Sequence, residues 1–489
     1  MFADRSEWLG DNPPFKGYGA AVTAGPNGSM VFVTGFGCAN RLLCFENGRL
    51  VDRSCGILAD PTRGAIGVAA ADLDADGSEE LYVHNTNAYA GYTDNTDLLL
   101  DRIEHDGRSV WCDAFGLDVN AERGNFHAGR SVAAVDRLGT GRYGMVVASY
   151  DAPMRCYELG DDGEITDMAE AVGLDSTCGG RSLVTAPLVS DAMDVFVGVE
   201  RGPNRLFRND DGHFTDCAAE LGIDAPDSDA RGTALVDVGD RGFALALGSW
   251  EDENRLFVPT DPAQAENEPR AFVDRAPPEF AEPTQVRTIV AADFDNDGRQ
   301  ELFVNVLGSE NRLFAPVWGD GDDDVAGDSG DNRFAGTGGD ALGFESRPLG
   351  DAVEPRGLGT GAVVADINRD GTLELLVVHG EADAQPLSLY TVPNDNGWLR
   401  VAPATQHGAP ARGAIVTLET DRGRQRRVID AGSSYLCQSE PVAQFGLGGD
   451  TAPRQRPERL TVRWLDGREV TVNAPASETT HRLGHPTVE

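Results

Sequence analysis

Three stretches of this chain set oxygen-bearing side chains at alternate positions around a glycine. They run Asp72, Asp74, Asp76, Gly77, Glu80; Asp293, Asp295, Asp297, Gly298, Glu301; and Asp366, Asn368, Asp370, Gly371, Glu374. Alternate carboxylates on one side of a tight turn, with a last carboxylate closing it, form the donor set of a hard cation that takes about six to eight oxygens. Ca²⁺ is expected at all three loops. Mg²⁺ suits them less, because it holds a tight octahedron and keeps its waters. Asn368 replaces a carboxylate, so the third loop carries less charge and is expected to bind more weakly. No His or nucleophile adjoins the loops in sequence, which makes the expected ion a structural pin between two strands rather than an activator of water.

Each loop lies between two apolar runs, and the same runs recur where the loop has decayed. An apolar strand ending near Asp appears at Val68–Asp72, Ser131–Asp136, Thr233–Asp237, Thr288–Asp293 and Gly361–Asp366. A β-rich strand follows, as in Leu81–His84, Met145–Ser149, Leu302–Val306 and Leu375–His379. Asn-Arg-Leu opens a third strand at Asn40, Asn204, Asn254 and Asn311. An apolar residue with Asp two later marks a fourth: Leu50/Asp52, Trp111/Asp113, Ile165/Asp167, Phe214/Asp216 and Phe272/Asp274, with Phe344 a degenerate case. Four short strands per unit, repeated along the chain, predict an all-β fold built as a β-propeller.

Six closing strands and a seventh unit without one leave the missing strand to the N-terminus. There Phe2, Asp4, Leu9 and Gly10 repeat the spacing of Phe214, Asp216, Leu221 and Gly222. The expected architecture is a seven-bladed propeller over residues 1–395. Residues 2–10 supply the outermost strand of the last blade, so the ring keeps no open edge. A small β-rich domain is expected over 396–489. Pro259–Arg270 and the Gly/Asp-rich Gly319–Gly343 read as loop insertions. Blades whose turns have decayed, including those at Asp136 and Asp237, are not expected to bind metal.

Acidic residues number 80 against 41 Lys and Arg, a net charge of −39, and Lys16 is the single lysine. Acidic excess with lysine loss is the pattern of adaptation to very high salt, where the Debye length falls to about 3 Å at 1 M and surface repulsion is screened. The same charge argues against nucleic acid and anionic membrane surfaces as partners. No apolar run approaches the roughly 18 residues of a membrane span. The first residues lack the basic and apolar regions of a signal peptide, so the expected location is the cytoplasm. Eight Cys are scattered without C-x-x-C or a His/Cys zinc spacing, and free thiols are expected, with disulfides the alternative in an exported protein. The chain is expected to be a monomer.

The units resemble FG-GAP/VCBS repeats, the blades of integrin-type propellers. The run Asn204-Arg-Leu-Phe-Arg-Asn-Asp-Asp-Gly-His-Phe-Thr-Asp-Cys-Ala-Ala-Glu-Leu-Gly-Ile223 is similar, more narrowly, to the cartilage acidic protein family. Asn396–Val401, Gly413–Val416, Gly423–Val428, Gly432–Gln438, Gln444–Gly448 and Leu460–Gly467 resemble, in order, the ASPIC/UnbV domain. The resemblance implies a Ca²⁺-binding propeller with a small C-terminal β-domain, in a family of mostly extracellular, adhesive or matrix-associated proteins without known catalysis. An extracellular or cell-surface location is therefore the alternative to the cytoplasm.

Two functions are weighed. The first is a Ca²⁺-stabilised scaffold for a protein or carbohydrate ligand, with the blade-two loop Asn85–Asp97 and its Tyr89 and Tyr92 as a contact surface. The second is an enzyme of hydrolase or lyase type using the central funnel, with His84, Asn305 and His379 at comparable strand ends. A routine hydrogen bond is the better expectation for each of these, and no G-x-S-x-G, H-E-x-x-H, P-loop or dinucleotide fingerprint occurs. Arg422, Arg424, Arg426 and Arg427 cluster on an expected hairpin, which docks on the acidic propeller, holds an anionic ligand or stays solvated.

Overall fold

Each repeat folds as a four-stranded antiparallel meander, and its innermost strand is made of small and β-branched residues. Ala65–Ala71 reads Ala-Ile-Gly-Val-Ala-Ala-Ala and is buried throughout. Residues this small let neighbouring strands crowd around a common axis. The computed structural model describes residues 1–25, 28–105, 108–260, 271–318, 342–450 and 452–488. Most of the two expected insertions, 261–270 and 319–341, lies outside the described residues.

The innermost strands are Gly17–Gly25, Ala65–Ala71, Gly129–Val135, Gly180–Ala186, Ala230–Asp237, Thr284–Ala292 and Gly359–Ala365. Each packs on the next, and the last packs back on the first, so seven sheets close a ring. All seven shift register near their start, where the strand bends into the channel. The repeated polar residues have repeated tasks. Asn40, Asn204, Asn254 and Asn311 each accept from a backbone N–H five residues upstream, at 2.8–3.0 Å. Asp52, Asp113, Asp167, Asp216 and Asp274 each accept from the third strand and from the residue two places on. These side chains satisfy turn donors that the sheets leave over.

The ring closes as the N-terminal spacing predicts. Ala3 pairs with Thr391 and Asp4 with Tyr390 on the outer edge of the last blade. Phe2 is buried, its ring edge-on to Phe294 with centroids 4.9 Å apart. Deleting residues 1–11 should therefore lower the melting temperature sharply, since loss of a buried Phe alone costs about 3–5 kcal/mol. A melting curve unchanged by the deletion would show that this strand does not hold the ring.

Beyond Thr391 the chain builds two further sheets. One joins Gly397–Pro403, Ala443–Gly448 and Thr480–Leu483; the other joins Ile415–Thr420, Gly423–Val428, Pro457–Arg463 and Glu469–Asn473. Their shared core includes Leu399, Val416, Leu418, Phe445, Val462 and Trp464. Residues 430–440 leave this sandwich and enter the propeller axis. Gln438 exchanges backbone hydrogen bonds with Ala20 and Val22, and its side chain bonds both ways with Ala70. Ala431 accepts from Ala134, Gly432 from Thr185 and Tyr435 from the Thr288 hydroxyl. The insertion thus meets blades one to four and six by hydrogen bonds, and Ser439 adds blade seven through Val364.

Candidate metal centres

The three acidic loops share one backbone and one hydrogen-bond pattern. In each, the first Asp accepts from the N–H of the turn glycine: Asp72 from Gly77 at 3.1 Å, Asp293 from Gly298 at 3.0 Å and Asp366 from Gly371 at 3.0 Å. The closing Glu accepts from the residue after that Asp: Glu80 from Leu73, Glu301 from Phe294 and Glu374 from Ile367, at 2.6–3.0 Å. The third-position oxygens of Asp74, Asp295 and Asn368 accept from Asp76, Asp297 and Asp370. The fourth residues, Ala75, Asn296 and Arg369, all have positive φ, as do the three glycines. For Ala and Arg that conformation costs about 1–2 kcal/mol, and it curls the carboxylates toward one point.

The donor sets differ in how far they converge. Ligand atoms of Asp72, Asp74 and Glu80 lie within 4.8 Å of one another, as do those of Asp293, Asp295 and Asp297. Glu80 Oε1 and Asp293 Oδ1 are buried with no hydrogen-bond partner, as an oxygen reserved for a cation would be. Asp76 is exposed at the rim of its loop, and Glu301 is buried beneath its own. Burial pushes the Asp72 carboxyl up to about 6 and holds Glu80 well above the usual carboxylate range. Burial and the neighbouring carboxylates do the same to Asp293 and Glu301, and bring Asp297 to about 6. A divalent cation removes both the desolvation and the repulsion that these shifts express.

In the third loop burial raises Asp366 to about 6 and Glu374 to about 9. Asn368 and Asp370 bond to each other at 2.9 Å, and among the described residues this loop's carboxylates do not gather as the others do. Arg400 of the C-terminal sandwich explains the difference. Its Nη1 lies 3.0 Å from Asp366 Oδ2, and its Nη2 bonds Glu440. Guanidiniums also stand near the other two loops, but Arg427 is farther off, 3.7 Å from Asp293 Oδ2, and Arg142 donates to the Leu73 carbonyl rather than to a carboxylate.

All three loops lie under the C-terminal sandwich. Gly446 N–H donates to Asp293 at 2.8 Å, Asn396 to the Asp295 carbonyl at 2.8 Å and Gln444 to the Gly371 carbonyl at 2.8 Å. A Cβ on Gly446 would sit 2.2 Å from the Asn296 carbonyl carbon, so only glycine lets the second loop approach this closely. The arginine hairpin docks on the propeller. Arg424 pairs with Asp240, the Arg426 N–H donates to Asp237 at 2.7 Å, and Arg427 lies 3.7 Å from Asp293. Arg422 instead bonds the Arg454 carbonyl inside the sandwich.

Sequence reasoning missed the firmest link between propeller and sandwich. Arg412 is wholly buried and bonds Glu79 through Nε at 2.5 Å and Nη2 at 3.3 Å. Its remaining donors meet the carbonyls of Val22 and Asp430, while the Thr23 hydroxyl donates to Glu79. Glu79 stands just before the closing Glu80, so its place beside an acidic loop was the available signal.

The histidines at the strand ends are held by hydrogen bonds. His84 is fully buried, its Nδ1 2.8 Å from Asp97, which also accepts from Tyr82 and Asn125. His379 bridges Glu354 and the Pro386 carbonyl, and Asn305 donates to Asn311. All three side chains are buried, and His84 Nε2 and Asn305 Oδ1 make no hydrogen bond among the described residues. The loop after His84 does reach the open face, where Tyr89 bonds Glu200 of blade four and stacks on Tyr150.

A ring of seven antiparallel sheets, acidic turns at the ends of its inner strands and a β-sandwich seated on them define the class: a propeller with candidate cation loops joined to a small β-domain. A family model described as ASPIC and UnbV matches residues 404–489. Cartilage acidic protein 1 of Homo sapiens is 39% identical over 503 residues, covering 96% of this chain and 71% of that protein. The Mus musculus protein of the same name is also 39% identical, covering 96% and 73%. The chain belongs to the cartilage acidic protein family. Among solved structures, Saccharomyces cerevisiae Sqt1 aligns at 14% identity with a TM-score of 0.39, over 80% of this chain and 98% of that one. The propeller assignment rests on the strand pairing.

Proposed function

We propose that this protein is a calcium-locked interaction scaffold, in which the ions hold the propeller loops and, through them, the C-terminal sandwich. The observation that carries this reading is the pair of buried, unpartnered oxygens, Glu80 Oε1 and Asp293 Oδ1, inside two converging carboxylate sets. Ca²⁺ is favoured by the all-oxygen donors and the flexible turn. The loops of 72–80 and 293–301 are the strong sites. The loop of 366–374 is the weak one, because Asn368 removes a charge and Arg400 already stands against Asp366.

Family membership and the loops on the face away from the sandwich support binding of a protein or carbohydrate partner. Relatives named for cartilage favour the extracellular alternative over the cytoplasm. The −39 charge supports a high-salt setting for this chain. Among the described residues, no helix is long and apolar enough to cross a membrane. The domain division at 395/396 follows the same reading, with Ser388–Thr391 in the last blade and Gly397–Pro403 in the first C-terminal sheet.

Metal analysis on protein prepared in molar sodium chloride tests the ion assignment. Two calcium ions should survive exhaustive dialysis, with a third appearing only on titration. Metal-free protein that takes up no calcium would overturn it. Screening the loaded protein on a glycan array, with and without chelator, tests the scaffold.

A further inference from the structure

Arginine occupies corresponding places at the start of the inner strand in blades three to six: Arg130, Arg181, Arg231 and Arg287. The acidic loops follow the far ends of such strands, so the arginines gather at the mouth of the channel away from the sandwich. Arg181, Arg231 and Arg287 are 4–6% exposed. Three buried arginines and the half-buried Arg130 around one axis stand out in a chain where acids outnumber bases 80 to 41.

Side chains link them into a belt. Arg130 and Arg181 both lie over the ring of Tyr150, at 5.4 and 4.6 Å from its centre. Arg181 and Arg231 share Glu200. Arg231 and Arg287 both lie against the Trp250 ring, and Arg287 also pairs with Glu381. Asp229 adds a second acid for Arg231. Arg130 has no acid at all among the described residues: it lies against the rings of Tyr18 and Tyr150, and its Nε is buried without a partner. The belt thus holds four guanidiniums and three carboxylates.

The floor of this mouth is Tyr435, at the tip of the segment that enters the axis from the other side. Its backbone carbonyl accepts from Thr288, while among the described residues its hydroxyl makes no hydrogen bond. Burial alone would raise this phenol, yet Arg181, Arg130, Arg287 and Arg231 together hold it below its ordinary value. A cation without a counter-ion and a hydroxyl without a partner, both facing one axis, lack a shared acceptor.

We infer that the open mouth of the propeller is a binding site for an oxyanion group, a sulfate, phosphate or carboxylate, held by Arg130 and the Tyr435 hydroxyl within the arginine belt. Guanidinium forks match such groups bidentately, and a low-dielectric wall strengthens the bonds. Tyr89, 60% exposed on the rim, and Trp250 give a ring-shaped carrier of the anion a face to stack on. The site does not depend on the acidic loops at the other end of the channel.

The test is calorimetric titration of the full chain, saturated with calcium, against inorganic sulfate, inorganic phosphate and galactose 6-sulfate, at an ionic strength fixed with sodium chloride. Saturable one-to-one binding of at least one probe is expected. Arg130→Gln should weaken it at least tenfold and Tyr435→Phe several-fold, with melting curves close to wild type because neither change strands a carboxylate. Sulfate and galactose 6-sulfate binding alike would define a free-ion site; tighter binding of the sugar sulfate would bring in the aromatic rim. Arg208→Gln, on the outside of blade four, should bind as wild type does. No saturable binding of any probe, binding unaffected by Arg130→Gln, or equal loss in Arg208→Gln would overturn the inference. Chelator sensitivity of the melt reports on the calcium reading separately.

Discussion

Replacing Arg412 with Met is expected to destabilise the protein by about 3–5 kcal/mol, because it strands the Glu79 carboxylate in a site with no access to water. Glu79 then keeps only the Thr23 hydroxyl, the backbone N–H of Ala24 and a low-dielectric wall. The Val22 and Asp430 carbonyls also lose their donor. Glu79→Met should cost a similar amount for the mirror reason, leaving a guanidinium stranded. Combining the two should recover much of the loss, since apolar residues of matched volume replace a buried ion pair at little net cost. Melting temperature and the rate of proteolytic nicking between residues 392 and 412 read both effects. An Arg412→Met protein that melts as wild type would show that the sandwich does not lean on this pair. A double variant no better than either single would assign the cost to packing instead.

That pair also marks where sequence reading ends. Arg412 and Glu79 are 333 residues apart, and neither belongs to a periodic pattern. The acidic loops were legible because their geometry is local: alternate carboxylates, a glycine at positive φ and flanking strands all fall within nine residues. Ring closure by Phe2 and Asp4 was legible because the repeat supplied a template for the missing strand. The arginine belt occupied a middle ground. Its members sit in register at the heads of four inner strands, and aligning the repeats would have collected them, but nothing in one repeat alone says that the side chain turns into the axis. Least visible was the segment 430–440. In the sequence Gly432–Gln438 is legible only as part of the ASPIC/UnbV run, and nothing in that run says that its backbone and Gln438 bond the inner strands of the channel. The third acidic loop teaches the converse. At its ligand positions it matches the other two save Asn368, and what sets it apart is how near a sandwich guanidinium comes: Arg400 is 3.0 Å from Asp366, Arg427 3.7 Å from Asp293.

Removing calcium should be the other large perturbation, and its size can be bounded. A ligand held at a hundredfold excess over its Kd stabilises the folded state by about 2.7 kcal/mol per site, so two occupied loops contribute about 5 kcal/mol. The loss should exceed what the loops themselves would show, because the Asp293 and Asp297 loop carries hydrogen bonds to Gly446 and Gln455 of the sandwich. Chelation is therefore expected to lower the melting temperature and to speed proteolysis between the domains together. Asp72→Asn and Asp293→Asn should each abolish about half of the chelator-sensitive shift. Asp366→Asn should abolish little of it, since Arg400 already supplies positive charge beside that carboxylate. Arg400→Gln, which withdraws that charge, should instead raise calcium affinity at the third loop while loosening Glu440. Equal losses from all three Asp→Asn variants would make the third loop a full site and Arg400 a bystander. A melt indifferent to chelator, in protein shown to bind calcium, would mean that the loops are held by their hydrogen bonds alone.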